Sequence, residues 1–386
     1  MRTPTKKKVW LAALGFTLGM SWLAPSVSAK AEVEYGAVYD SWTSNFQASG
    51  SEVLMPFHFE FKAPNGRLQV TASTAFVQGH YLQKDLGFGG SAFDGNRLTD
   101  TLLGLAYSIP LGSFSSTLAL KVNLPTGDKR WEQQQLPGNI PIIFESSRYR
   151  GRGFGFDGMY GIGKQFGDWN LSAVAGYLYS SSVDSVAGSQ DVVDYGNYTV
   201  VGLVLGRRTA SSLFRVKALD SIAQDSKIDG APAFRVPTRT VLDLRWESGK
   251  TTRFLLDAGY SIYGKGKLVN TGVYGTELNG SFGDRFYLAP ALEYGAGPKV
   301  RLTTGLLLKS IAANGYDETY PLYNGGGTVV GASQGLKWKM GNNTYTSYSL
   351  GYNHITNNQA ALDSTGSLTD VTYNEVTFGT GVGYQW

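Results

Sequence analysis

Val376-Thr377-Phe378-Gly379-Thr380-Gly381-Val382-Gly383-Tyr384-Gln385-Trp386 closes the chain, with Val376, Phe378, Val382, Tyr384 and Trp386 on one parity and small or polar residues between them. Successive side chains of a strand point to opposite sides of a sheet, so this stretch reads as a β-strand with one apolar and one polar face. The same period of two recurs upstream. Phe57, Phe59 and Phe61 alternate with His58, Glu60 and Lys62, and Thr240, Leu242, Leu244 and Trp246 alternate with Val241, Asp243, Arg245 and Glu247. Phe254 to Tyr263 and Val300 to Lys309 repeat the pattern.

Alternation alone also fits a soluble β-sandwich, and the spacing of the breaks decides between the two. Tight-turn residues occur at Pro64-Asn65-Gly66, Pro110-Leu111-Gly112, Gly167-Asp168, Ala210-Ser211-Ser212, Glu247-Ser248-Gly249-Lys250, Gly295-Ala296-Gly297-Pro298 and Gly341-Asn342-Asn343. Longer polar connections lie between them, at Leu124 to Arg150, Ser181 to Tyr195, Ala223 to Pro232 and Ile311 to Gly327. Short turns alternating with long loops are the signature of a barrel with one rim in the periplasm and the other outside the cell. Seven short turns predict an all-β, single, antiparallel up-and-down transmembrane barrel of about sixteen strands, fourteen being the other even count admitted. The first strand pair, Glu34 to Trp42 and Glu52 to Phe61, is the least sharply bounded.

Composition agrees. The chain has 386 residues, with 50 Gly, 23 Tyr and 19 Phe and only 17% charged residues, which suits many short strands rather than helical domains. There is no cysteine, so disulfides, zinc thiolates and thiol nucleophiles are excluded. Residues 1–29 begin with basic Lys6-Lys7-Lys8, continue through an apolar run from Val9 to Ala24 and end at small residues around Ala29. That is the plan of a cleaved secretory signal, which leaves 30–386 as the barrel. The signal segment also holds the whole formal charge of +4, because the 34 basic residues less Arg2, Lys6, Lys7 and Lys8 leave 30 against 30 acids. A neutral mature chain gives no basis for nucleic-acid binding.

The terminal strand, with Phe378, Tyr384 and Trp386, resembles the signal by which the barrel-assembly machinery of Gram-negative outer membranes recognises its substrates. Leu124-Pro125-Thr126-Gly127-Asp128 resembles the strand end of outer-membrane transporter families, notably barrels of the MetA-pathway of phenol degradation and, more distantly, fatty-acid-type channels. These resemblances imply the bacterial outer membrane as location, lipid and lipopolysaccharide as surroundings, and uptake of aromatic or apolar small molecules. They leave a homo-oligomer open.

A barrel of this size encloses a channel unless loops fill it. Charge on the lipid wall costs about 2–4 kcal/mol per Arg or Lys at mid-membrane, so the charged parity must face inward. The inward set is His58, Glu60, Lys121, Asp157, Arg215, Lys217, Arg239, Asp243, Arg245, Glu247, Asp257, Arg285, Glu293, Arg301, Lys309, Lys337, Lys339 and Glu375. Its cations crowd into the second half of the chain. They form either a basic track for carboxylated solutes or a wall neutralised by Asp243, Glu247, Asp257 and Glu293. The loop carrying Trp131, Ile142 and Phe144, followed by Arg148 and Arg150, is unusually apolar and is expected to constrict the lumen or to contact lipopolysaccharide or a neighbouring protomer.

The rival reading is a barrel enzyme acting on lipid or peptide, and a structural or surface-interaction barrel is a third. Only His58, His80 and His354 are available as histidine bases, and no catalytic constellation, cofactor motif or metal-ligand spacing accompanies them.

Overall fold

The computed structural model describes residues 30–45, 48–83, 91–127, 154–181, 183–184, 192–194, 196–270, 272–318, 323–362 and 368–386. The expected signal segment and the loop bearing Trp131, Ile142, Phe144, Arg148 and Arg150 lie outside these residues. The first wall strands are β1 (Lys30–Ser44), β2 (Ala48–Lys62), β3 (Leu68–Gln83), β4 (Ser91–Leu98), β5 (Thr101–Leu111), β6 (Phe114–Leu124), β7 (Gly155–Phe166) and β8 (Trp169–Ser180). The chain then forms two short strands, β9 (Val183–Asp184) and β10 (Val192–Asp194), before the wall resumes with β11 (Tyr198–Arg208) and β12 (Ser212–Ala223). It leaves the wall again at β13 (Ser226–Ile228) and β14 (Ala231–Arg235), returns as β15 (Arg239–Ser248) and β16 (Thr252–Tyr263), and departs a third time at β17 (Lys267–Asn270) and β18 (Val273–Thr276). The remaining wall strands are β19 (Arg285–Gly295), β20 (Val300–Ile311), β21 (Gly327–Lys339), β22 (Thr344–Leu362) and β23 (Leu368–Gln385).

Every pairing is antiparallel, and β1 pairs with β23 to close the ring, Tyr35 opposite Val382. The seam ends in two backbone hydrogen bonds, Ala31 N–H to Trp386 O at 3.1 Å and Trp386 N–H to Ala31 O at 3.0 Å. Strands β4 and β5 both pair with β3 and together fill one wall position, so the barrel has sixteen strands, as the turn count predicts. The first pair is longer than its sequence bounds suggested.

Between β4 and β5 the ladder skips. Ser73 pairs with Leu102 and Phe76 with Leu98, so two residues of β3 face three of its neighbour. Thr99 repairs the break by donating its N–H to Ala75 O and accepting Ala75 N–H on Oγ1, both at 2.8 Å. The Leu124-Pro125-Thr126-Gly127 turn docks on this bulge. Asp100 accepts Gly127 N–H at 3.0 Å and Asn123 Nδ2 at 2.7 Å, while Thr126 Oγ1 donates to Thr99 O at 3.1 Å. A Cβ on Gly127 would stand 2.8 Å from both Asp100 N and Oδ1, so glycine is required by close approach rather than by turn geometry. In this chain the turn motif acts as a brace for the wall.

Outward side chains are apolar, including Leu105, Leu118, Leu171, Leu203, Leu242, Leu302, Leu306 and Leu350. Near the short-turn rim they become aromatic, with Phe166, Trp169, Trp246, Tyr294, Trp338 and Tyr384. A closed wall with an apolar belt edged by aromatics satisfies every strand hydrogen bond and meets lipid tails outside. Phe378, Tyr384 and Trp386 stand on that outward face. The folded protein is expected to migrate faster in SDS before boiling than after, with a circular dichroism spectrum dominated by β-structure. Identical migration, or recovery as a soluble protein, would refute the barrel.

Two of the connections expected to be loops are strands instead. Strands β9, β10, β13, β14, β17 and β18 pair in the order β18-β17-β14-β13-β10-β9 into a six-stranded sheet built from three consecutive long connections. Their short, charged segments lack the apolar alternation of the wall, because neither face of this crown packs on lipid.

Candidate functional site

The registers carry each wall residue to a face. Arg215 pairs with Arg245, Lys217 with Asp243, Arg245 with Asp257 and Arg301 with Lys337, and all of these lie inward with Lys121, Arg239, Glu247, Arg285 and Lys309. Through these registers the set shares one parity, opposite to that of exposed apolar residues such as Leu242 and Leu302.

What parity does not supply is the pairing. At the short-turn rim, Arg245, Glu247, Arg253, Glu293 and Arg301 form one continuous chain of ion pairs across β15, β16, β19 and β20. The distances are 2.8 Å for Arg245 to Glu247, 2.5 Å for Arg253 to Glu247, 3.2 Å for Arg253 to Glu293 and 3.4 Å for Arg301 to Glu293. Asp257 stands 4.0 Å from Arg245. Higher in the wall, Lys217 meets Asp243 at 2.6 Å, and Tyr287 donates to Asp243 at 3.3 Å. These cations are neutralised by carboxylates of the same wall.

A second group is not. Among the described residues, no carboxylate forms an ion pair with Arg215, Arg239, Arg285, Lys309 or Lys337. Arg239 and Arg285 open β15 and β19 at the long-loop rim and flank one ring, with guanidinium carbons 5.6 Å and 5.3 Å from the Tyr263 centroid. Arg239 donates to Ser261 Oγ at 2.9 Å, whereas Arg285 Nε is buried with no acceptor. Tyr263 is itself held, stacked on Phe282 at 5.5 Å and donating its N–H to Asp284 at 3.0 Å. Two cations on a fixed aromatic, without a carboxylate to quench them, present donors to whatever passes. At the other rim Lys337 Nζ lies 3.5 Å from the Tyr345 ring centroid, and Tyr345 OH donates to Glu32 at 2.6 Å.

The first and last strands carry the opposite charge. Glu32, Glu34 and Asp40 of β1, Glu52 and Glu60 of β2 and Glu375 of β23 share the inward parity. Sequence reading named only Glu60 and Glu375 of these. The other four follow from the same alternation once β1 is extended to Lys30 and paired with β2. Counted around a sixteen-strand wall, β12 and β15 stand opposite β1 and β2. An acidic wall therefore faces the arginine- and lysine-bearing wall across the lumen. Asp40, Glu52, Lys309, Asn353 and Glu375 also line a luminal recess of about 180 Å³ whose apolar side is Val38, Leu54, Leu307, Val329 and Ile355.

No protein-family model matches the chain, and no curated protein sequence matches it. Solved structures do. OmpT of Vibrio cholerae, described as outer-membrane expressed, aligns with 94% of this chain and 99% of its own at 13% identity and a TM-score of 0.41. Pseudomonas aeruginosa OccK7 aligns with 94% and 99% at 10% identity and a TM-score of 0.45. A Pseudomonas aeruginosa FadL homologue aligns with 92% and 89% at 8% identity and a TM-score of 0.44. The likeness stops at barrel architecture. A closed barrel with this lipid-facing exterior is a protein of the bacterial outer membrane.

Proposed function

We propose that the barrel is a passive channel for small polar solutes, favouring carboxylated ones, and that it is not an enzyme. The observation that carries this reading is the opposition of an acidic and a basic wall across the lumen, with Arg239 and Arg285 left without carboxylate partners at the outer rim. A water-filled lumen between low-dielectric walls concentrates such fields, orients dipolar solutes and draws carboxylates toward the two unpaired guanidiniums. This charged lining favours carboxylated solutes over the apolar compounds that the turn motif implies.

The three histidines support a channel over an enzyme. His58 faces inward near the short-turn rim, while His80 and His354 take the outward parity on strands four positions apart around the wall. His354 Nδ1 is bonded to Asn374 Oδ1 at 2.9 Å on the lipid side.

Purified protein in planar bilayers is expected to conduct, and proteoliposomes containing it to swell faster in small carboxylates than in neutral or apolar solutes of equal size. A folded protein that neither conducts nor passes solute, yet hydrolyses phospholipid or peptide, would replace this reading with the enzyme.

A further inference from the structure

Wherever a wall strand carries a cation whose side chain is described, that side chain points into the lumen, with two exceptions. Lys164 on β7 pairs with Phe114 and Leu171, and Arg207 on β11 pairs with Trp169 and Phe214, so both sit on the lipid-facing parity. Both lie within three residues of the short turns that mark the periplasmic rim, on strands separated only by β8. They are not loose. Lys164 Nζ is 5.2 Å from the Phe114 centroid and 5.1 Å from that of Phe166, and Arg207 lies 5.4 Å from the Trp169 centroid. Trp169 is braced in turn by Phe214, edge to face at 6.3 Å. Neither cation forms an ion pair among the described residues, and Asp168 at the tip of the Phe166–Trp169 turn pairs with neither.

A cation facing hydrocarbon is costly, so an outward Lys or Arg is tolerated only where it reaches the headgroup layer. At the periplasmic rim that layer is phospholipid. The aromatic rings fix the height and direction of the two cations, and their rigid faces offer apolar contact to the upper acyl chain beneath a headgroup. Guanidinium is suited to grip a phosphate through two parallel N–H groups, and the ammonium adds a second positive point on the other side of the Phe166–Trp169 hairpin.

We propose that this patch is a binding site for one anionic phospholipid of the periplasmic leaflet, with Arg207 holding the phosphate and Lys164 the second attractive contact. The site is independent of the lumen and of whatever passes through it.

Detergent-solubilised full-length protein, offered phosphatidylglycerol or phosphatidylcholine in native mass spectrometry, is expected to retain phosphatidylglycerol about tenfold more strongly. Lys164→Gln with Arg207→Gln should abolish that preference in a protein that still shows heat-modifiable migration, and Arg207→Lys alone, which keeps the charge but loses the two-pronged grip, should reduce it without abolishing it. Equal retention of the two lipids by the native protein, or an undiminished preference in the folded double variant, would overturn the proposal.

Discussion

Replacing Arg239 and Arg285 together by glutamine is expected to lower the anion-to-cation permeability ratio about five- to tenfold at 0.1 M salt, with little change for neutral solutes. Each guanidinium acts on an ion about 10 Å away through an effective dielectric near 20, which gives roughly 1.7 kcal/mol before screening and about 0.6 kcal/mol after one Debye length. Two such charges amount to about 1.2 kcal/mol, or nearly tenfold. No described carboxylate forms an ion pair with either arginine, so the loss is not offset by an acid set free. The effect should shrink in 1 M salt, where the Debye length is about 3 Å. Reversal potentials across a salt gradient measure it directly. An unchanged ratio in a folded double variant would reduce the two arginines to packing partners of Tyr263. Arg245 and Arg301 behave differently, since removing them leaves Glu247 and Glu293 to share Arg253 alone, and their replacement should lower the unfolding temperature as well as alter conductance.

The wall was legible in the sequence because lipid outside and water inside impose one physical rule on every strand. Alternation identified Arg215, Lys217, Asp243 and Lys337 as inward from local pattern alone, and seven turn clusters yielded the strand number. The same rule says nothing about partners. Arg245 and Arg239 have the same parity and the same strand, yet one sits in a five-member ion-pair chain and the other against Tyr263, a difference set by register with β16. The crown escaped for another reason. Its strands are two to five residues long, too short for a period to show, and two of its five pairings join connections distant in sequence, as with Phe234 opposite Leu268. The bulge at Thr99 and Asp100 was hidden likewise, because the groups that hold it, Ala75 and Gly127, come from β3 and from the end of β6 rather than from its own neighbourhood in sequence.

That crown has an anchor whose removal should open it. Glu277, buried to 7% exposure in the connection after β18, accepts Gly266 N–H at 2.8 Å, Ser281 N–H at 3.0 Å, the Ser281 hydroxyl, and Tyr316 OH at 3.2 Å. Burial alone would raise its pKa, but the hydrogen bonds from Gly266, Ser281 and Tyr316 outweigh it and hold the carboxyl below the usual carboxylate range. The stabilisation is therefore fully present above the ordinary glutamate value and is lost as pH falls through the depressed one. A second contact, Asp225 accepting both Arg235 Nε and Tyr274 OH at 2.5 Å, ties β14 to β18. Burial and the bond to Asp225 push Tyr274 up to about 12, so that contact survives to strongly alkaline pH. Glu277→Ala strips one acceptor from four donors in a buried site, at a local cost on the order of 3 kcal/mol. Hydrogen exchange at the Gly266 and Ser281 amides should then accelerate about a hundredfold, as it should in the native protein well below pH 4, while amides of β15 and β16 keep their protection. If exchange at those two amides were unaltered by the substitution, the carboxylate would be a passenger and the connection after β18 would be held by its backbone bonds, Glu277 N–H to Gly266 O at 3.1 Å and Gly315 N–H to Gly280 O at 2.8 Å.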